Sequence, residues 1–241
     1  MAFADVHIHA LYGTDDGARD EAHMLSMIRA SYDDGVRLLC LTPHFHPGYY
    51  GNNAERSLIA FRTLRAHCRE AFPDLHLLLA NELFYSKDCV SWLKNGACRT
   101  IGQTKYVLVD FSDSTPANDI TDGLFNLLRG GYLPILAHAE RYRMLRMRHV
   151  YKMLDGGVLL QMDAQSLFGQ FGFAARSRAR KLLARRLVCF MGSDAHGMKS
   201  RPPGIGAAYR WIVEKCGAEY ADEVCYNNAA ELLFCDVSKE V

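Results

Sequence analysis

The chain has 241 residues, enough for one large α/β domain with a substantial core. Its 28 Lys/Arg and 27 Asp/Glu residues give a net charge of +1, so we expect no nucleic-acid partner. The apolar runs are too short to cross a bilayer, and Met1 to Phe3 lead directly into a predicted strand, so we expect neither membrane insertion nor a signal peptide.

The eight cysteines stand at irregular positions, several of them within apolar runs. They form no Cys-x-x-Cys pair, which predicts buried, reduced thiols in a cytoplasmic protein. No cysteine is followed by an arginine six residues later. This spacing argues against a tyrosine phosphatase that uses a cysteine nucleophile.

Seven apolar segments alternate with segments of helical periodicity. The predicted strands are 3–7, 37–42, 75–80, 106–109, 133–137, 158–162 and 188–192. The predicted helices are 21–33, 54–70, 120–129, 144–154 and 174–187, with 204–235 as helices packed outside. Buried strands separated by helices predict a parallel sheet covered on both faces. Because no Gly-x-Gly-x-x-Gly turn follows the first strand, we predict a closed or nearly closed barrel rather than a dinucleotide-binding sheet. No Pro/Ser-rich linker or internal repeat marks a second domain, so we predict a single α/β domain over 1–241.

The predicted helix 174–187 is unusually basic, with six Lys/Arg between residues 176 and 186. We interpret this segment as a solvated helix face. The alternative is that it steers an acidic peptide.

Histidines and carboxylates gather at the ends of the predicted strands, where a parallel barrel places its active site. His7 and His9 lie two residues apart, so both imidazoles point to one face of the first strand. The corresponding residues after later strands are His44, His46, Glu82, Asp110, His138, Asp194 and His196. The 14–17 loop adds Asp15 and Asp16, for which capping of the next helix is the alternative role. The sixth strand offers Gln161 and Asp163 as groups that support the ligands.

This set matches the ligands of zinc, manganese or iron and exceeds the three protein ligands of one catalytic zinc. The sequence therefore predicts a cluster of two or three metals. Such clusters polarise phosphoryl oxygens and lower the pKa of a bridging water to roughly 7, which suits hydrolysis of phosphate esters. Arg141 and Arg201 lie in neighbouring loops as candidate phosphate ligands, the alternative for each being an ion pair with a carboxylate.

Seven short motifs span the chain in order: DVHIH (5–9), TDDG (14–17), TPH (42–44), NELFY (81–85), HAERY (138–142), SDAH (193–196) and RPP (201–203). Together they resemble the bacterial polymerase-and-histidinol-phosphatase (PHP) superfamily, and more narrowly its capsule-biosynthesis tyrosine-protein phosphatases. The resemblance implies the PHP fold, a distorted seven-stranded (β/α)7 barrel similar to a TIM barrel.

The resemblance also implies how the ligands divide among three metals. One metal would be held by His7, His9, Glu82 and Asp194, a second by Glu82, Asp110 and His138, and a third by Asp16, His44 and His196. Manganese is the implied ion, with iron, cobalt or zinc as alternatives. The chain departs from the subgroup at Asp110, where Glu is usual, and the shorter side chain has less reach. For His46 two alternatives are left open: it donates a proton to the leaving group, or it is simply an exposed side chain.

We therefore predict a metal-dependent protein-tyrosine phosphatase in which a metal-bridging hydroxide attacks phosphotyrosine while Arg141 and Arg201 neutralise the phosphoryl oxygens. The implied partner is a tyrosine kinase of capsule or exopolysaccharide synthesis. The close alternatives are a small-molecule phosphatase, of the histidinol-phosphate type, and a phosphodiesterase. A metal-dependent amidohydrolase and a purely structural metal site are the alternatives from other classes.

Overall fold

The structure, a computed structural model, describes residues 1–235, in which short parallel strands alternate with helices. The strands in this part of the chain are β1 (Phe3–Ile8), β2 (Val36–Leu41), β3 (His44–Phe45), β4 (His76–Leu79), β5 (Glu82–Phe84), β6 (Tyr106–Asp110), β7 (Leu133–Leu136), β8 (Leu159–Asp163) and β9 (Phe190–Gly192). The strand segments are thus nine rather than seven, so the predicted count is not confirmed.

The strands pair in parallel in two sheets, of order β1-β2-β4 and β3-β5-β6-β7-β8-β9. Only residues 42–43 separate β2 from β3, and only residues 80–81 separate β4 from β5. Pro43, between β2 and β3, has no N–H to donate, so the backbone hydrogen bonds of β2 do not continue into β3. The two ends of the strand order approach each other, because Asp194 N donates to His7 O at 2.8 Å and His9 N donates to Ala195 O at 2.9 Å. The result is an α/β fold with a curled parallel sheet.

The helices are α1 (Glu21–Asp33), α2 (Pro47–Tyr50), α3 (Ala54–Ala71), α4 (Cys89–Lys94), α5 (Ala117–Arg129), α6 (Met147–Asp155), α7 (Gly172–Ala184), α8 (Gly206–Cys216), α9 (Ala218–Asp222) and α10 (Asn228–Leu232). A 3-10 turn (Ala164–Phe168) precedes α7, and a π-type turn (Glu223–Asn227) joins α9 to α10. All five predicted helices are present, with ends that differ by at most three residues. In the described residues, no helix is long and apolar enough to span a membrane.

The helices pack their apolar faces onto the sheet. Met24, Met27 and Ile28 of α1 are fully buried, as are Leu124 and Leu127 of α5. Full burial of one such side chain contributes about 1.5–3 kcal/mol. The outer strand faces are thus covered by apolar side chains. The polar residues of the sheet concentrate instead at the carboxyl ends of the strands.

Candidate metal centre

Two histidines of the first strand open the site. His7 and His9 are fully buried, and their Nε2 atoms lie 3.0 Å apart. They share a face because side chains alternate along a strand. Gly192 of β9 packs directly against His7. A Cβ at residue 192 would lie 2.6 Å from the His7 Cβ, so the glycine leaves the space that the His7 side chain needs.

Glu82, the first residue of β5, lies at the middle of the site. Its Oε2 atom is 3.3 Å from both His7 Nε2 and His9 Nε2 and 2.8 Å from His44 Nδ1. Its Oε1 atom is 3.0 Å from His138 Nε2. One carboxylate therefore faces four imidazoles that come from different parts of the chain.

The possible ligand atoms form three groups, each with its members within 4.8 Å of one another: His7, His9 and Asp194; Glu82, Asp110 and His138; and His9, His44 and His196. The third group contains His9 where the resemblance implied Asp16. Asp16 is nevertheless adjacent, since its Oδ1 lies 3.5 Å from His196 Nε2 and 3.6 Å from His44 Nε2. The structure thus brings all nine predicted ligands together, although the Asp16 side chain is 55% exposed.

Asp110 reaches the cluster despite its shorter side chain. Its Oδ1 lies 3.6 Å from His138 Nε2 and accepts a hydrogen bond from Tyr142 Oη at 2.8 Å. The Tyr142 hydroxyl also accepts from Phe111 N, so it fixes the end of β6. Sequence reasoning gave Tyr142 no role of its own, because it does not follow a strand directly.

Other polar groups orient the histidines from behind. Asp15 Oδ2 lies 2.7 Å from His9 Nδ1 and accepts from His44 N at 2.9 Å. Gln161 Oε1 lies 3.1 Å from His7 Nδ1 and accepts from His138 N at 2.8 Å. Such contacts set the imidazole orientation and leave the opposite nitrogen facing the centre.

The electrostatics of the cluster favour ionised carboxylates at Glu82 and Asp194, whereas burial raises the pKa of Asp110. Burial raises the pKa of Glu82, but the charges of His7 and His44 outweigh it and hold that pKa well below its usual range. Burial lowers the pKa of His9, but the Asp15 carboxylate outweighs this effect and the pKa is raised. These carboxylates and imidazoles attract one another within a largely buried cluster.

The donor set fits divalent metal ions. Glu82 Oε2 and His196 Nε2 are both buried, and neither forms a well-aligned hydrogen bond in the described residues, although Glu82 Oε2 lies 2.8 Å from His44 Nδ1. Unpaired buried polar atoms are rare in folded proteins and indicate a missing ligand or ion. Imidazole and carboxylate together suit zinc, manganese or iron.

Two candidate ligand residues have a backbone that only a few non-glycine residues adopt. His138 has φ +33° and Asp194 has φ +50°. Each follows a strand directly or within two residues, so the bend turns its side chain toward the centre. Backbone strain of this kind concentrates at functional sites.

Both candidate arginines lie beside the ligands. Arg141 Nη2 donates to Asp163 and to Asp194, and Arg201 Nη2 donates to Asp194. Burial lowers the pKa of Arg141, but Asp163 and Asp194 outweigh it and raise that pKa, so the guanidinium stays charged. The Arg141 Cζ atom lies 3.6 Å and the Arg201 Cζ atom 5.7 Å from the centroid of the Phe171 ring. Phe171 was not predicted, because its position just before α7 gave no sequence signal.

His46 belongs to none of the three ligand groups. It precedes α2, and its ring packs edge-on against Phe84 with 4.4 Å between centroids. Its role as a proton donor stays a prediction.

A curled parallel sheet with a His and carboxylate centre at its strand ends defines the class of metal-dependent hydrolases with TIM-barrel-like folds. One solved structure of similar fold is the phosphotriesterase homology protein from Escherichia coli, with TM-score 0.55, 14% identity and 97% of each chain covered. At this identity the likeness concerns the fold alone.

The chain belongs to the CpsB/CapC family of capsular polysaccharide synthesis, whose model matches residues 3–234. This membership confirms the resemblance seen in the motifs. The chain is 32% identical over 236 residues to the tyrosine-protein phosphatase CpsB of Streptococcus agalactiae, covering 95% of this chain and 97% of that one. It is 30% identical over 233 residues to the tyrosine-protein phosphatase YwqE of Bacillus subtilis, covering 95% and 90%.

A solved structure from work on YwqE of Bacillus subtilis and CpsB of Streptococcus pneumoniae, described as metal-dependent tyrosine phosphatases, superposes with TM-score 0.86. The sequence identity is 28%, and 97% of this chain and 94% of that chain are covered.

Proposed function

We propose that this protein is a metal-dependent protein-tyrosine phosphatase. The observation that carries the proposal is the position of Glu82 among four imidazoles, beside two charged arginines. The curated relatives are tyrosine-protein phosphatases and support the same activity.

Two or three metal ions would be held by the ligand set described above, with Glu82 between the groups. We propose manganese, with iron, cobalt or zinc as alternatives, because carboxylate and imidazole donors accept all four. When bound, these ions supply Lewis acidity toward the phosphoryl oxygens and lower the pKa of water.

The residues of the chain position the substrate. Arg141 and Arg201 present guanidinium groups at Asp194, from where they can exchange a carboxylate contact for a phosphoryl oxygen. Their charge offsets the negative charge on the transferred group. The leaving phenolate has a conjugate-acid pKa of about 10, so it needs little proton donation, which we assign to His46.

The family context favours a protein substrate of capsule or exopolysaccharide synthesis, and we propose a tyrosine kinase of that system. We further propose that residues 1–241 form one domain and that β2 with β3, and β4 with β5, each fill one of seven barrel positions. The five buried cysteines are free thiols, which fits a cytoplasmic location.

The test is phosphate release by the manganese-loaded protein from a phosphotyrosine peptide and from histidinol phosphate, with a chelator control and an Asp194→Asn variant. We expect the peptide to be preferred, and the chelator and the variant each to abolish turnover. Preference for histidinol phosphate would assign the site to small-molecule phosphatase chemistry, and turnover that survives the chelator would overturn the metal mechanism.

A further inference from the structure

Positive charge is concentrated in one segment of this nearly neutral chain. Residues 141–213 contain 14 of the 28 Lys/Arg and 3 of the 27 Asp/Glu, a net charge of +11 against +1 for the whole chain. The three acids are Asp155, Asp163 and Asp194, and the last two are buried against Arg141. The exposed surface of this segment therefore carries almost no negative charge.

The fold brings part of this charge to the site. The connections after β8 and β9, and the part of the connection after β7 that follows Glu140, belong to the segment and lead away from the ligand end of the sheet. Gln170 Nε2 donates to Ser200 O at 2.6 Å, which joins the loop before α7 to the loop that carries Lys199 and Arg201. Phe171, in the first of these loops, stacks on Arg141.

Four basic residues lie close in sequence to Arg141, Phe171 or Arg201, and we call them the basic rim: Arg143, Arg176, Arg178 and Lys199. Arg143 and Lys199 are exposed, and the other two are half-buried. Arg178 Nη2 is buried without a hydrogen-bond partner in the described residues. Burial lowers the pKa of Arg178, the Glu140 carboxylate opposes that effect, and the Arg143 charge adds to it. The exposed members of the rim, Arg143 and Lys199, are both cationic, which favours an anionic ligand.

The same segment exposes apolar side chains. Five of the eight large apolar residues exposed in the described part of the chain belong to it: Met144, Tyr151, Phe168, Phe173 and Met198. Phe173 is 76% exposed and lies beside Arg176, whose Cζ atom is 5.4 Å from the ring centroid. Exposed aromatic rings next to arginines suit a polypeptide with both acidic and aromatic side chains.

Acidic residues are found in other connections. The loop before α1 carries Asp16 and Asp20, and the segment after β6 carries Asp113, Asp119 and Asp122. Asp20 lines the same cavity as Lys199, so the rim is least screened by acidic neighbours at its arginines.

We infer that the basic rim is a docking surface for an acidic, aromatic segment of the substrate protein that flanks the phosphotyrosine. This inference rests on the proposed function, because the phosphoryl group held by Arg141 and Arg201 places the neighbouring residues of the same polypeptide over the rim. Charge complementarity beside the site then raises the rate of encounter.

The test compares two phosphotyrosine peptides of equal length, one with Glu and Asp around the phosphotyrosine and one with Lys at the same positions. We expect kcat/KM to be about tenfold higher for the acidic peptide, and the difference to shrink strongly as NaCl rises from about 0.05 to about 0.5 M. The Arg143→Glu/Arg176→Glu variant should reduce the ratio of the two kcat/KM values to about one. A ratio is independent of the fraction of protein that folds.

The matched control is Arg62→Glu/Arg69→Glu, which reverses two exposed arginines of α3 outside the basic segment and should keep the wild-type ratio. Equal turnover of the two peptides by the wild type would overturn the docking surface while leaving the phosphatase activity intact. Turnover of neither peptide would overturn the proposed function and this inference with it. Loss of binding to anionic vesicles or to an oligonucleotide in the rim variant, with an unchanged peptide ratio, would assign the rim to that partner instead.

Discussion

Among the individual residues, Glu82 lies at the centre of the site, because both of its oxygens face imidazole nitrogens. Glu82→Gln keeps the shape but removes the charge that attracts His7 and His44. We expect metal affinity to fall at least about 100-fold. Metal content by mass spectrometry is the measurement, with Glu55→Gln on exposed α3 as control. An unchanged metal content in Glu82→Gln would remove this residue from the ligand set.

The Phe171 ring stacks on the guanidinium of Arg141, a candidate phosphate ligand. The Arg141 guanidinium lies 3.6 Å from the ring centroid, and such a contact is worth about 0.5–2 kcal/mol. We expect Phe171→Leu to raise KM for a phosphotyrosine peptide by about three- to tenfold, with a smaller change in kcat. Phe171→Tyr keeps the ring and should behave like the wild type. Equal KM values for the two variants would show that stacking on Arg141 has no part in substrate binding.

Among the helices, α8 depends on a side chain distant in sequence. Asp34 Oδ2 accepts from Ile205 N at 2.6 Å and from Gly206 N at 2.7 Å, which satisfies the amides at the start of α8. Asp34→Ala leaves both amides unpaired and should lower the free energy of unfolding by about 1–3 kcal/mol in a urea titration. Asp33→Ala, at the exposed neighbouring position, should have little effect, and a similar loss in both variants would contradict this role.

Helix boundaries followed from local chemistry where a cap lies nearby in sequence. The predicted bounds of α1 are those observed, because the Asp20 side chain accepts from His23 N at 2.7 Å and Gly35, with φ +103°, ends the helix. The separate strands β3 and β5 were not predicted. They contain two and three residues, and their strand conformation depends on the pairing of β3 with β5 and of β5 with β6.

Metal binding connects separate elements of the whole molecule. The candidate ligands lie on or next to β1, β3, β5, β6, β7 and β9, so ions that bind only the folded chain shift the unfolding equilibrium. We expect Tm to rise with manganese concentration, corresponding to about 2.7 kcal/mol at 100 times Kd. His7→Ala should weaken this rise. A Tm independent of metal in the wild type would contradict the metal centre.

The cysteines give a second prediction for the whole molecule. Cys40, Cys68, Cys89, Cys98 and Cys225 are buried, and burial raises the pKa of Cys68 to about 11 and of Cys98 to about 12. In the native protein at pH 8 we expect these five thiols to resist a disulfide reagent and phosphatase activity to persist. The same five thiols should react in urea. Rapid loss of activity on native labelling would reopen a cysteine mechanism.

The sequence by itself determined the alternation of strands and helices and the nature of the chemistry, because hydrophobic periodicity and strand-end ligands are local features of the chain. It also placed His7 and His9 on one face, since strand alternation requires nothing beyond the strand. Only the tertiary structure decided that His9 joins His44 and His196 in the third ligand group, with Asp16 beside them. It also decided that Tyr142 donates a hydrogen bond to Asp110 and that Phe171 stacks on Arg141. Each of these contacts joins residues from different loops, and their distances depend on how the curled sheet brings the loops together.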